Sequence, residues 1–428
     1  MNLCKGQINM SNFVFQREKY LNQLIRKMNN GLIKIVAGLR RSGKSYLIFN
    51  LFKNYLLMND YKEEQIIEIQ LDHFSNFKYQ NPEEFLNYVY SKSQNNRINV
   101  LLVDEIQLLM HFVPVLNELL SKGNYDIYVT GSNSKFLSSD VVTEFRGRGD
   151  VIHLFPLSFK EIWEKRKEDS NVLEVWNEYF EYGGIPLIVK LPNEDKKIFL
   201  KSLINETYFK DIVERNKWTK TIVLDELTDI IASNIGCITN LSNIKNTFKS
   251  VHNLDISNYF LSKYIEELKN SFLIEEAIKF NIKGRKYVTS SFKYFFTDMG
   301  LRNARLNFRQ TEETHIMENV IYNELRSRGY LVDVGMVEQR TSTNYNQLEV
   351  DFVARKHDQI LYIQSALNID DPLKLEQETK SLLNIKDAFN KIVIVKNYSK
   401  MKRDENGIIY IGLFDFLLGE DWEKGIIF

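Results

Sequence analysis

Gly38-Leu39-Arg40-Arg41-Ser42-Gly43-Lys44-Ser45 lies between an apolar run, Leu32-Ile33-Lys34-Ile35-Val36-Ala37, and a helical pattern, Tyr46-Leu47-Ile48-Phe49-Asn50-Leu51-Phe52. Strand, glycine loop, helix is the order a phosphate-binding Walker A loop requires. The two glycines let the backbone wrap closely around a polyphosphate, the N–H groups point inward, and the positive end of the following helix adds to the field. In that reading Gly38, Arg41, Ser42, Gly43, Lys44, Ser45 and Tyr46 line a nucleotide. Lys44 reaches the β- and γ-phosphates, and Ser45 holds magnesium.

A loop of this kind needs an acidic partner one crossover later. Val100-Leu101-Leu102-Val103-Asp104-Glu105 supplies it as a buried-strand run that ends in two adjacent carboxylates, the Walker B arrangement. A parallel strand covered on both faces reads as unbroken aliphatic sequence, so two acids at its carboxyl end are costly unless they face a site. Asp104 is expected to bind magnesium and Glu105 to polarise the attacking water.

Working outward, 428 residues exceed one ordinary core, and about three domains are expected. Lys+Arg 56 against Asp+Glu 56 excludes a uniformly basic nucleic-acid coat, though not a local basic patch. Cys4 and Cys237 stand too far apart in sequence to form a zinc site or disulfide framework by themselves, which points to a reducing, cytoplasmic setting. The six histidines are scattered without ligand spacing. No apolar stretch is long enough to span a bilayer and the N-terminus lacks a signal-peptide core, so a soluble chain with no membrane contact is expected.

Before the glycine loop, Leu21, Leu24, Ile25 and Met28 recur at helical spacing and predict a helix that packs on the sheet and ends at Asn30-Gly31. After it, residues 65–72 alternate as a strand, and Pro82 opens an acidic-started helix. A helix from about Phe112 to Leu120 leads to Tyr125-Asp126-Ile127-Tyr128-Val129-Thr130-Gly131-Ser132-Asn133, a strand that delivers polar residues to the end where open α/β sheets bind ligands.

That strand, followed by Phe145-Arg146-Gly147-Arg148 and Phe155-Pro156-Leu157-Ser158-Phe159-Lys160-Glu161, resembles the prokaryotic AAA-type P-loop ATPases that carry a C-terminal nuclease-like domain. The resemblance gives Ser132 and Asn133 the place of sensor 1, which reads the γ-phosphate. It gives Arg148, with Arg146 as its neighbour, the place of an arginine finger acting in cis or in trans; a surface arginine paired to an acid remains the alternative. Phe15-Gln16-Arg17-Glu18 resembles the segment near the adenine in related signal-transducing ATPases, with Gln16 where a glycine is usual, and so puts Arg17 by the base. Tyr182-Gly183-Gly184-Ile185-Pro186 resembles the Gly-x-Pro element of their helical lid, which sets Pro186 against the base. A plain helix–helix turn would use the same residues.

Residues 159–218 carry helical spacings suited to a lid. From Thr221 to Phe296 three helices and a hairpin with a basic tip, Lys279, Lys283, Arg285 and Lys286, give the outline of a winged helix. Contact with nucleic acid and docking to neighbouring domains both fit it. Helix 313–328 and strands 330–334, 349–354 and 360–366 resemble the PD-(D/E)xK nuclease fold, in which an Asp and a Glu hold metal and a Lys orients water. The corresponding positions here are Asp351, Gln364 and Ala366, so the domain reads as a degenerate nuclease.

The expectation is therefore an α/β chain: a P-loop nucleotide domain over 1–158, a helical lid over 159–220, a winged-helix-like domain over 221–296 and a nuclease-like α/β domain over 297–428. It would act as an ATPase using ATP and Mg2+, with a protein or nucleic-acid partner and the number of copies left open. The alternatives are a slow nucleotide switch and an ATP-gated nuclease.

Overall fold

The computed structural model describes residues 14–132, 145, 147–218, 221–251, 253–309, 312–340, 345–397, 401–419 and 422; Asn133, Arg146 and Cys4 lie outside them. The chain divides into two compact units. One holds the residues up to Pro156 together with Ile185–Lys190 and Asn270–Phe272, and the other holds Leu157–Gly184, Leu191–Lys269 and Leu273–Phe428.

The first unit is built on β1 (Ile33–Ala37), β2 (Ile66–Gln70), β3 (Asn99–Asp104), β4 (Tyr125–Gly131) and β5 (Gly149–His153), in the spatial order β2-β3-β4-β1-β5. All four pairings are parallel. Every residue of β1, β3 and β4 is buried, which is why these strands read as continuous aliphatic runs. Leu24 from helix Glu18–Arg26, Leu47, Ile48 and Phe52 after the glycine loop, and Val36, Leu102 and Tyr128 from the sheet close one core. Each fully buried side chain of this kind contributes about 1.5–3 kcal/mol by leaving water.

Two of the interior positions that depart from the aliphatic pattern pair with each other. Lys34 of β1 is fully buried and pairs with Asp126 of β4. The Lys34 ammonium also donates to the Leu32 carbonyl at 2.8 Å, and Asp126 accepts from Tyr128 Oη at 2.9 Å and from the Asn29 amide at 3.1 Å. Burial lowers the lysine pKa while Asp126 pushes it back up. With its hydrogen bonds satisfied, the pair is tolerated inside the sheet.

The second unit carries helices between Phe159 and Asn270 and an eight-stranded mixed sheet. Its strands are β6 (Ile274–Asn281), β7 (Lys286–Phe296), β8 (Leu331–Arg340), β9 (Tyr345–Lys356), β10 (Gln359–Ala366), β11 (Asn390–Val395), β12 (Lys402–Arg403) and β13 (Ile408–Gly412), in the order β12-β13-β11-β10-β9-β8-β6-β7. The hairpin read from sequence as part of a middle domain thus lies in the same sheet as the C-terminal strands, because β6 pairs in parallel with β8 through Lys279, Phe280 and Asn281. From helix Glu313–Ser327 the chain runs through β8, β9 and β10 to helix Pro372–Leu383 and β11, a helix, three antiparallel strands, a helix and a parallel strand. No helix among the described residues is long and apolar enough to cross a membrane.

Asp298 fixes a tight junction within this unit. Its carboxylate accepts from the Gly184 amide at 2.7 Å and caps helix Met299–Arg305 through the Leu301 amide at 3.2 Å. Gly183 has φ +73°, and a methyl group there would stand 2.2 Å from the Asp298 carboxylate, so no side chain fits.

Candidate functional site

The site lies at the carboxyl ends of β1, β3 and β4, where parallel register places successive strand ends side by side. Gly38 follows β1 so closely against Leu154 that a methyl group would run into its carbonyl. Gly43 takes φ +99°, turning the chain into helix Lys44–Tyr46, which continues as a π-helical stretch, Leu47–Phe52, and helix Lys53–Met58. A π-helical turn widens the hydrogen-bond ladder and is found most often at functional sites.

Lys44 is 4% exposed, and its ammonium donates to the carbonyls of Gly38 and Leu39, each at 3.1 Å. Burial lowers its pKa, against the charges of Glu105 and Asp104. Burial raises the Asp104 pKa, and hydrogen bonds from Thr130 and Ser45 oppose that shift. The register pairs Val103 with Val129, which sets Asp104 beside Thr130. The Thr130 hydroxyl donates to Asp104 and accepts from the Glu105 amide at 2.9 Å. Glu105 has φ +51°. Its Oε2 accepts from Ser132 Oγ at 2.7 Å and from the Gln107 amide group.

The structure therefore brings together Lys44, Ser45, Asp104, Glu105 and Ser132. Beside them a cavity of about 380 Å³ is lined by Phe15, Arg17, Arg41, Ser42, Gly43, Tyr46, Pro186, Leu187 and Lys190. Arg17 is buried, donates to the Phe155 carbonyl and lies over the Tyr20 ring at 4.7 Å. Pro186 stands close enough to the glycine loop that a methyl on Gly43 would meet its Cγ at 3.8 Å.

Arg148 is not brought to this group. Its backbone carbonyl accepts from the Ile33 amide at 2.8 Å, at the end of β1 remote from the glycine loop. Five strand steps separate that end from Gly38, roughly 16 Å. Sequence reasoning missed Thr130 as the partner of Asp104, Gln107 as a second donor to Glu105, and Phe15, Leu187 and Lys190 as cavity walls. Thr130 was legible in principle, since the last polar residue of a strand next to the acidic one must face the same site.

The donors fit a nucleotide with its cation. Ser42 Oγ is buried with no hydrogen-bond partner among the described residues, a glycine-rich cradle surrounds a buried ammonium, and an apolar cavity adjoins it. Ser45 and Asp104 would hold magnesium, which supplies charge to the phosphate oxygens.

The chain is similar to the Aeropyrum pernix Orc1 protein solved in complex with DNA, at 11% identity over 70% of this chain and 94% of that one, TM-score 0.35. It is similar to AMPPCP-bound DnaA from Aquifex aeolicus, at 14% identity over 63% and 93%, TM-score 0.31. Likenesses this distant carry no inference. Residues 173–312 match a domain of unknown function, and residues 30–163 match the AAA domain family. An uncharacterized protein of Methanocaldococcus jannaschii is 28% identical over 79% of this chain and 76% of its own length. An uncharacterized protein of Haemophilus influenzae is 34% identical over 96% of this chain and the whole of its own length. The chain belongs to the family of that Haemophilus protein, and its N-terminal part, residues 30–163, matches the AAA domain.

Proposed function

We propose that the chain is a magnesium-dependent ATPase whose nucleotide state controls recognition or remodelling of a protein or nucleic-acid partner. The observation that carries this reading is the meeting of Lys44, Ser45, Asp104, Glu105 and Ser132 at three adjacent strand ends. Lys44 and the loop amides bind the β- and γ-phosphates, Ser45 and Asp104 hold magnesium, Glu105 polarises the attacking water and Ser132 reports the γ-phosphate. Arg17 and Pro186 flank the base. Arg148, far from its own glycine loop, acts as a finger only in trans, on a second copy of the chain.

Magnesium dependence is the direct test. Phosphate release from ATP by the purified protein is expected to require Mg2+, and to fall to background in EDTA and in Asp104→Ala. Turnover that survives EDTA would remove the metal from this reading.

One observation favours a slower variant of the same function. Glu105 Oε2 accepts two hydrogen bonds, from Ser132 and Gln107, which occupy lone pairs that an attacking water would otherwise use. A switch that holds nucleotide and turns over slowly fits this contact.

The three helices Thr221–Ser233, Leu241–Val251 and Asn258–Asn270 with the β6–β7 hairpin support a winged-helix-like reading, with exposed Lys283, Arg285 and Lys286 at the tip. Of the acids on its last helix, Glu267 turns inward and accepts from Arg215 at 2.6 Å, leaving Glu266 exposed. The helix–strand–strand–strand–helix–strand order from residue 313 supports a nuclease-like fold. Asp351 there accepts from Gln364 Nε2 at 3.2 Å and from the Ser365 amide and hydroxyl at 2.8 and 2.9 Å, so its lone pairs are committed to protein donors. Incubation with single- or double-stranded DNA or RNA in Mg2+ or Mn2+ is expected to leave the substrate intact. Cleavage that disappears in Asp351→Ala would make the C-terminal unit an ATP-gated nuclease instead.

A further inference from the structure

Lys293 is an unexpected residue for a buried position on the edge strand of the eight-stranded sheet. It is 1% exposed on β7, opposite Ala277 of β6. Its ammonium lies 2.7 Å from Glu318 Oε1, on helix Glu313–Ser327, and 2.6 Å from Glu349 Oε1, on β9. Asp351, two residues further along β9, adds its charge to the ammonium. Three carboxylates from two elements thus address one cation. Glu318 and Asp351 are themselves buried, while Glu349 keeps one side toward solvent at 38% exposure.

The protein encloses the group on the helix side as well. Gly236, at φ +71°, approaches so closely that a methyl there would stand 2.8 Å from Glu318 Oε2. Among the described residues no group of three or more His, Cys, Asp or Glu side chains is arranged to hold a metal ion. The carboxylates are arranged instead around a nitrogen.

We propose that the Lys293 ammonium is the resident cation of this carboxylate cluster and fills, by covalent attachment, the position a divalent metal ion would otherwise take. Electrostatics supports the geometry. Burial alone would lower the lysine pKa, yet Glu318, Asp351 and Glu349 together raise it, so the group stays charged. One positive charge cannot balance three negative ones, and the excess falls on the most buried carboxylate. Burial, with Asp351 and Glu349 adding to it and Lys293 opposing, pushes Glu318 up to about 8. A tethered ammonium needs no ion from solution and cannot be removed by a chelator. This inference stands on the contacts themselves and does not require the nuclease-like reading of the fold.

The test is Mn2+ binding to the full-length chain without nucleotide, followed by the electron paramagnetic resonance of the free ion. Wild type is expected to bind no Mn2+ that Glu349→Gln removes. Lys293→Gln, which leaves the carboxylates without their cation, is expected to gain a saturable site at least about ten-fold tighter than any in wild type. That site should be lost in Lys293→Gln combined with Glu349→Gln. Wild-type binding that Glu349→Gln abolishes, or Lys293→Gln binding no tighter than wild type, overturns the proposal. Should Lys293→Gln fail to fold, the melting temperatures of wild type and Glu349→Gln decide it. A difference between them that is the same in EDTA and in Mn2+ supports a protein-borne cation, and a wild-type gain in Mn2+ that Glu349→Gln lacks overturns it.

Discussion

Lys44→Ala is expected to weaken ATP binding by about 100-fold, the equivalent of roughly 3 kcal/mol for a charge-assisted contact to phosphate. The ammonium is buried, held by the carbonyls of Gly38 and Leu39, and set at the mouth of the loop before any ligand arrives. Its removal leaves the bound phosphates facing Asp104 and Glu105 with less opposing charge. The backbone of the loop, set by Gly38 and Gly43, should survive, because alanine is an acceptable first helical residue. Equilibrium binding of a fluorescent ATP analogue gives the measurement. Unchanged affinity would mean that the glycine loop is a structural turn and that nucleotide binds elsewhere.

The second large effect belongs to Glu105. Glu105→Gln keeps the shape of the side chain and one acceptor oxygen, but replaces the other with an amide donor and removes the charge that draws a proton from water. Single-turnover hydrolysis should fall by about 10²–10³-fold while ATP binding stays near wild type, so the variant should retain bound ATP. An equal rate in the two proteins would show that Glu105 is not the water-polarising group. Wild-type turnover indistinguishable from zero, with tight binding intact, would instead favour the slow switch, in keeping with the two donors that already occupy Glu105 Oε2.

Much of the nucleotide unit was legible because its signals are local. A glycine loop between a strand and a helix, and two acids at the end of an aliphatic run, are constraints that neighbouring residues impose on one another. Residues linked only through pairing were harder to read. Periodicity says which face of a strand is apolar but not which strand lies beside it. The Lys34–Asp126 pair joins residues 92 apart on adjacent strands, and each looks misplaced until the other is found. The β6–β8 pairing has the same character: nothing in Lys279-Phe280-Asn281 announces Val334-Gly335-Met336 as its partner. Lys293 was hidden for a third reason. A lysine in a strand reads as a solvent-facing residue, and only the folded helix at Glu318 and the non-adjacent strand at Glu349 turn it into a buried cation.

The composition of the first unit has a consequence for the order of events during synthesis. All five strands of its sheet have been translated once Pro156 emerges, but one wall of its cavity, Pro186 to Lys190, follows about thirty residues later, and Phe272, whose ring lies 5.0 Å from that of His153, comes later still. At ribosomal rates of about 5–20 residues per second, the interval between Pro156 and Phe272 is on the order of ten seconds. Through that interval the His153 ring has its Phe155 neighbour but not its Phe272 neighbour, at a stage when a fragment ending at residue 163 already carries the glycine loop and both acids. A fragment cut there would hold the loop and the acids yet lack the cavity wall formed by Pro186, Leu187 and Lys190, so this unit is complete only when sequence from three separate stretches of the chain has arrived.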